Sequence, residues 1–412
     1  MATLLLIVIY FAFIGLGLPD SIFGSAWPVI AAEFDLPLSY ANFITLICSF
    51  CTVVSSLLSP KVTAKLGPAI TTAVSTALTA LALLGFYFSN SFLFICLLSL
   101  PLGLGAGGID TALNNYVAVH YKASHMNFLH CFYGIGVTAS PFLMSLALFK
   151  NGDWRNGYFY VFLIQAGITL IALLAIPLWK KVAEKKRKEL GIKEENKDEN
   201  KDETPKKSVK LLEVCKIKKL RLIWIIFFGT CALEFTCGTW GSSFFVGAKG
   251  VTEDVAALAI TFYYAGIAVG RFISGLISDK VGCWKVVIIG HGIVLVGVIL
   301  LFIPVTYWLA IVGLFLIGLG NGPVFPILAH LTPKHFGIEK SETAMGTQMA
   351  ACYVGCTLMP IIFGFIAKAV SIKIYPIYLL LMYFVMILGS ILFKNHERKE
   401  EKTLDKNLSN LQ

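Results

Sequence analysis

LLSPKVTAKLG at 57–67 and GLISDKVG at 275–282 are two versions of one segment, and their spacing decides the fold. The closing glycines, Gly67 and Gly282, stand 215 residues apart. Gly103-Leu104-Gly105 recurs as Gly318-Leu319-Gly320 at the same offset of 215. Earlier in each half, Gly15, Asp20 and Gly24 recur as Gly229, Glu234 and Gly238 at an offset of 214, and Pro141 recurs slightly late as Pro360. The second half of the chain therefore reads as a copy of the first, running in the same direction.

The composition says what the copied unit is made of. Of 412 residues, 57% are hydrophobic and only 14% charged, against about 25% charged in ordinary soluble domains. Apolar segments fall near 3–31, 38–59, 67–89, 92–119, 125–149 and 157–179, then near 221–247, 255–278, 284–304, 306–331, 341–370 and 374–394. Each has about the 20 residues needed to cross a bilayer. A backbone in hydrocarbon must satisfy its own hydrogen bonds, so each segment is predicted to be helical. The expectation is an all-α membrane protein of twelve transmembrane helices in two parallel six-helix repeats. The first repeat covers 1–179 and the second 221–394, with a charged linker at 180–220 and a tail at 395–412. The first apolar stretch has no basic flank and outruns a signal-peptide core, so it is predicted to be the first span.

The charges that remain are grouped. The run KKVAEKKRKELGIKEENKDENKDETPKKSVK at 180–210 has almost no large apolar residue after Leu190 and is expected to be a solvated tether. Lys61, Lys65, Lys122, Lys280, Lys285, Lys334 and Lys340 fall on the same side as that run and both termini; the opposite loops carry fewer cations. The positive-inside rule then places both termini in the cytoplasm. The net charge of +10 follows from this grouping, and no nucleic-acid partner is expected. Cys48, Cys51, Cys96, Cys131, Cys231, Cys237, Cys352 and Cys356 all lie in apolar runs and read as small hydrophobic side chains, with no metal expected.

The stretch GRFISGLISDKVGCWK at 270–285 resembles the signature that the major facilitator superfamily carries after the second span of a half, through Gly275, Asp279, Gly282 and Lys285. The first-half copy lacks the acid. Two parallel six-span repeats are also that superfamily's plan. A narrower resemblance is to the fucose–galactose–glucose proton symporters. It is carried by LGLPDSIFGSAWP around Asp20, GIDTALNNYV around Asp110 and Asn114, and FLHCFYGIG around His130 and Tyr133. The resemblance implies that the first- and fourth-span acids, here Asp20 and Asp110, take part in proton coupling and sugar binding.

The residues support candidates of their own. Asp20, Asp110 and Glu234 fall inside spans, where a carboxylate costs about 2.5–3.5 kcal/mol even on the gentler scales. Such groups persist when they meet water, a partner or a substrate, and all three are candidate proton-coupling residues. Asn114 sits one turn from Asp110, and the pair offers an acceptor and a donor to a polyhydroxylated ligand; Asn114 and Asn115 equally suit interhelical bonding. His130 and Tyr133 suit a sugar hydroxyl or a bond to a facing helix. Trp240 suits sugar stacking or interfacial anchoring. Asn321 and Gln348, with Phe325 nearby, are second-half candidates for substrate binding. Arg271 and Asp279 are separated by eight residues, about 12 Å along a helix, so they cannot pair directly within it; both are assigned to a cytoplasmic gate, and Arg271 equally suits a helix-packing charge.

No G-x-S-x-G, H-E-x-x-H or G-x-x-x-x-G-K-[ST] motif is present, and the glycines at 105–108 follow no strand. The sequence therefore predicts a transporter rather than an enzyme, with no cofactor and with an ion gradient as its driving force. The expected activity is proton symport of a small polar solute, a sugar or polyol, by a monomer with alternating access. The alternatives are a proton-coupled exporter of amphipathic compounds and a non-transporting membrane sensor.

Overall fold

The computed structural model describes residues 2–37, 40–189 and 209–409. Fourteen α-helices follow one another without a strand among the described residues: α1 Ala2–Glu33, α2 Ala41–Tyr87, α3 Phe92–His120, α4 Ala123–Asn151, α5 Trp154–Leu174, α6 Ile176–Glu189, α7 Leu211–Cys215, α8 Lys218–Lys249, α9 Glu253–Val281, α10 Cys283–Phe302, α11 Tyr307–Asn321, α12 Val324–Phe336, α13 Ile338–Ala369 and α14 Tyr375–Ser409. Among the described residues, eleven helical stretches are long and apolar enough to cross a membrane. One of them, α2, is two helices joined at a break at Gly67, which brings the crossings to the twelve expected.

Gly67 has φ +78°, and its repeat counterpart Gly282, between α9 and α10, has φ +98°. Both need a left-handed backbone that side-chain-bearing residues avoid, so the quoted repeat ends on the same turn twice. The span expected at 306–331 is broken into α11 and α12 at Gly322–Pro323, where proline removes a backbone donor. In the charged run after Trp179, α6 carries helix as far as Glu189 and α7 precedes α8; residues 190–208, the rest of the expected tether, lie outside the described residues.

The chain divides into two compact units. One comprises Met1–His120 with Phe128–Val209, the other Tyr121–Asn127 with Lys210–Gln412. In the first, α3 packs between the two limbs of α2. A Cβ on Gly103 or Gly107 would fall on the Cys48 or Thr52 carbonyl, and one on Gly105 would lie 2.7 Å from the Ser75 carbonyl oxygen. In the second, Gly318, Gly322 and Gly320 of the α11 region meet the carbonyls of Tyr263, Ile267 and Gly290. Every partner has moved by the same 215 residues as its glycine. Small residues at such crossings let backbones touch, which is how helices pack where hydrophobicity gives no preference between protein and lipid.

Candidate functional site

In the first unit, α1 crosses α4 at Gly17 and Gly136, where a Cβ would strike the carbonyls of Tyr133 and Ile14. Ser21 Oγ donates to the Val137 carbonyl at 2.5 Å and meets Ser140 Oγ at 2.8 Å. This close crossing brings the Tyr133 hydroxyl to Asp20, where it donates to Oδ2 at 2.6 Å. Asp20 lies mid-helix, yet it is exposed together with Gly24 and Pro28 on one face of α1. A Cβ on Gly24 or Gly134 would meet nothing within 4 Å. Asp20, Gly24, Tyr133, Gly134 and Thr138 thus line an open, largely polar face of this unit.

One turn before Tyr133 on α4, His130 belongs to a second, closed group. Asn114 Nδ2 donates to the Asp110 carbonyl at 2.9 Å and to Asp110 Oδ1 at 2.7 Å. His130 Nε2 lies 3.1 Å from Asn114 Oδ1. That oxygen only accepts, so the imidazole donates. Asp110 and His130 are each 6% exposed and Asn114 is fully buried, and Phe13 sets its edge against the His130 ring at 5.4 Å. The chain His130–Asn114–Asp110 gathers three of the predicted residues; Asn115 is half-buried beside it.

In the second unit, Glu234 of α8 is held by Arg271 of α9, Nη2 to Oε1 at 3.3 Å. Asn321 Nδ2 lies 3.4 Å from Glu234 Oε2 and 3.2 Å from the Thr230 carbonyl. Arg271 Nε donates to the Gly322 carbonyl at 3.3 Å, at the break between α11 and α12. Tyr263 donates to the Glu234 carbonyl at 3.0 Å. Among the described residues, Asn321 Oδ1 and Thr230 Oγ1 are buried with no hydrogen-bond partner.

Three predicted residues stand apart from these groups. Asp279 is exposed near the end of α9. Gln348 is fully buried and accepts from Thr332 Oγ1 at 2.8 Å. Trp240 donates to the Pro360 carbonyl at 2.8 Å and packs on Phe363 and Gly364, so its ring seals α8 against α13. Sequence reasoning missed the pairing of Arg271 with Glu234, although the signal was present: an arginine that cannot reach Asp279, and a mid-span acid in the same half. It also missed Gln165 of α5, fully buried and donating to Thr79 Oγ1 at 2.7 Å.

Twelve apolar crossings in two repeated halves, with acids buried or opened at mid-span, define a polytopic membrane transporter. The chain belongs to the Major Facilitator Superfamily, whose family model matches residues 9–252 and 223–410. Among its relatives is the glucose/mannose transporter GlcP of Bacillus subtilis, 22% identical over 260 residues that cover 63% of this chain and 61% of that protein. The chain thus matches less than two thirds of that relative's length. Among solved structures, it is similar to the E. coli fucose:proton symporter FucP, with TM-score 0.73, 15% identity and coverage of 94% and 98% of the two chains. It is also similar to the proton:xylose symporter XylE, with TM-score 0.71, 13% identity and coverage of 92% and 94%. At these identities the solved structures speak for the fold. The protein resembles fucose permease in fold, and its family consists of transporters rather than enzymes.

Proposed function

We propose that this protein moves a small polar solute, a sugar or polyol, across the membrane by proton symport with alternating access, with both termini in the cytoplasm. The observation that carries this reading is Asp20. A mid-span carboxyl on an open polar face, with a phenol hydroxyl 2.6 Å away, has a route for exchanging a proton and a surface on which to bind hydroxyls. The names of GlcP, FucP and XylE, all sugar transporters, support the substrate class. Asp110, closed off behind Asn114 and His130, is proposed as the group whose protonation state is relayed through that hydrogen-bond chain. Glu234 is proposed as the second-half counterpart, its charge balanced by Arg271. The Lys/Arg grouping supports the orientation of the termini.

The test uses proteoliposomes once a thermal-shift screen against sugars, polyols, amino acids and nucleosides has found a ligand, which stabilises by mass action. Asp20→Asn and Asp110→Asn keep hydrogen-bonding capacity but lose the proton. Each is expected to abolish accumulation driven by a pH jump while retaining part of the equilibrium exchange. Normal proton-driven accumulation by either variant removes that residue from the coupling role. A protein that binds ligand but shows no counterflow is a sensor.

A further inference from the structure

Where α8 meets α13, three thiols converge. Cys231 Sγ lies 2.8 Å from Cys352 Sγ, which lies 3.9 Å from Cys356 Sγ. All three sulfurs are within 4.8 Å of one another. The helices reach this approach through Gly355, where a Cβ would lie 2.6 Å from the Phe228 carbonyl oxygen and 3.3 Å from the Ala232 nitrogen. The same crossing exists in the first unit, where Gly136 lies on the Ile14 carbonyl. There the repeat places Gly17, Tyr133 and Val137 at the positions of Cys231, Cys352 and Cys356. The scaffold of the crossing therefore does not require thiols; they are an addition of the second half.

We propose that Cys231, Cys352 and Cys356 form a three-sulfur site for a thiophilic monovalent cation, Cu(I). An all-sulfur donor set selects soft metals. A structural zinc site asks for four ligands in a tetrahedron, whereas Cu(I) is satisfied by three. With metal–sulfur bonds of about 2.3 Å, a trigonal arrangement separates its sulfurs by about 4 Å. The Cys352–Cys356 pair, one helical turn apart, already stands at that distance, and Cys231 Sγ lies within 4.8 Å of both. The metal takes thiolates, so Cu(I) enters as the three thiols release their protons; the filled site carries a net charge of −2, partly offset by the Arg271 guanidinium that acts on Cys231. Cys231 and Cys352 are buried and Cys356 is half-buried, so the site is enclosed.

The experiment titrates the purified full-length protein with Cu(I), anaerobically and in detergent, against a chromophoric Cu(I) chelator. One equivalent is expected per chain, with X-ray absorption showing three sulfurs at about 2.3 Å. Cys231→Ser, Cys352→Ser and Cys356→Ser are each expected to weaken binding by at least about tenfold, while Cys237→Ser, a buried thiol of α8 outside the cluster, leaves it unchanged. Copper bound by the triple serine variant as by the wild type overturns the proposal, as does full affinity in Cys356→Ser. Fewer than three sulfurs in the wild-type spectrum overturns it without recourse to any variant.

Discussion

Asp20 and Glu234 occupy the same place in the two repeats, yet the first is held by a phenol on an open face and the second by a guanidinium and a carboxamide in a half-closed one. The positions that supply Arg271 and Asn321 in the second half are Ser56 and Ala106 in the first, and the position of Asp110 is taken in the second by Phe325, set edge-on to Phe227 at 5.2 Å. Meanwhile the contacts of Gly103, Gly105 and Gly107 recur partner for partner at Gly318, Gly320 and Gly322. At these crossings the backbone-to-backbone contact leaves no room for an added atom, and both copies keep the glycine. A polar side chain needs only some partner, and the copies are free to solve that need differently.

The sharpest way to break this comparison is Arg271→Ala. Arg271 and Glu234 have side-chain exposures of 10% and 16%, and removing one partner of such a pair is expected to cost about 3–5 kcal/mol. Thermal unfolding in detergent reads this loss, and adding Glu234→Gln is expected to restore most of it. An equal loss in the double variant would mean that the guanidinium serves packing rather than charge balance.

A smaller effect tests the conserved half of the comparison. Gly107→Val and Gly322→Val each force a side chain onto a carbonyl of the neighbouring helix, and overpacking of this kind costs about 1–3 kcal/mol. Because the two sites are repeat equivalents, their losses in unfolding midpoint are expected to match. Tolerance at one and collapse at the other would show that only one half depends on the glycine crossing.

The smallest expected change is Tyr133→Phe. It removes a hydrogen bond to an exposed carboxylate, with a net cost of about 0.5–1.5 kcal/mol, well below that of Arg271→Ala. Its larger consequence is expected in solute affinity, because the phenol lies on the open face. Unaltered ligand affinity by thermal shift would place the solute elsewhere.

The helices, their number and their pairing into halves could be read directly. Runs of apolar residues of bilayer length leave the backbone no alternative to helix, and the recurrence at 215 residues exposed the duplication. Asp110 and Asn114 were also legible as a pair, since four residues on a helix fix their proximity. Arg271 was legible only as a charge too far along the helix to reach Asp279. The break at Gly322–Pro323 was not read: the apolar run continues through it, and hydropathy does not register the lost backbone donor.

The sequence by itself determined the class of fold, the repeat, and which residue types lie at membrane depth, because these follow from period, length and composition along one dimension. The tertiary structure alone decided who touches whom. It joined Asp20 to Tyr133 across 113 residues, Arg271 to Glu234 across 37, and Cys231 to Cys352 across 121. Such contacts depend on where glycines let helices cross and on how each helix is rotated at the crossing. Neither quantity is carried by any single stretch of chain.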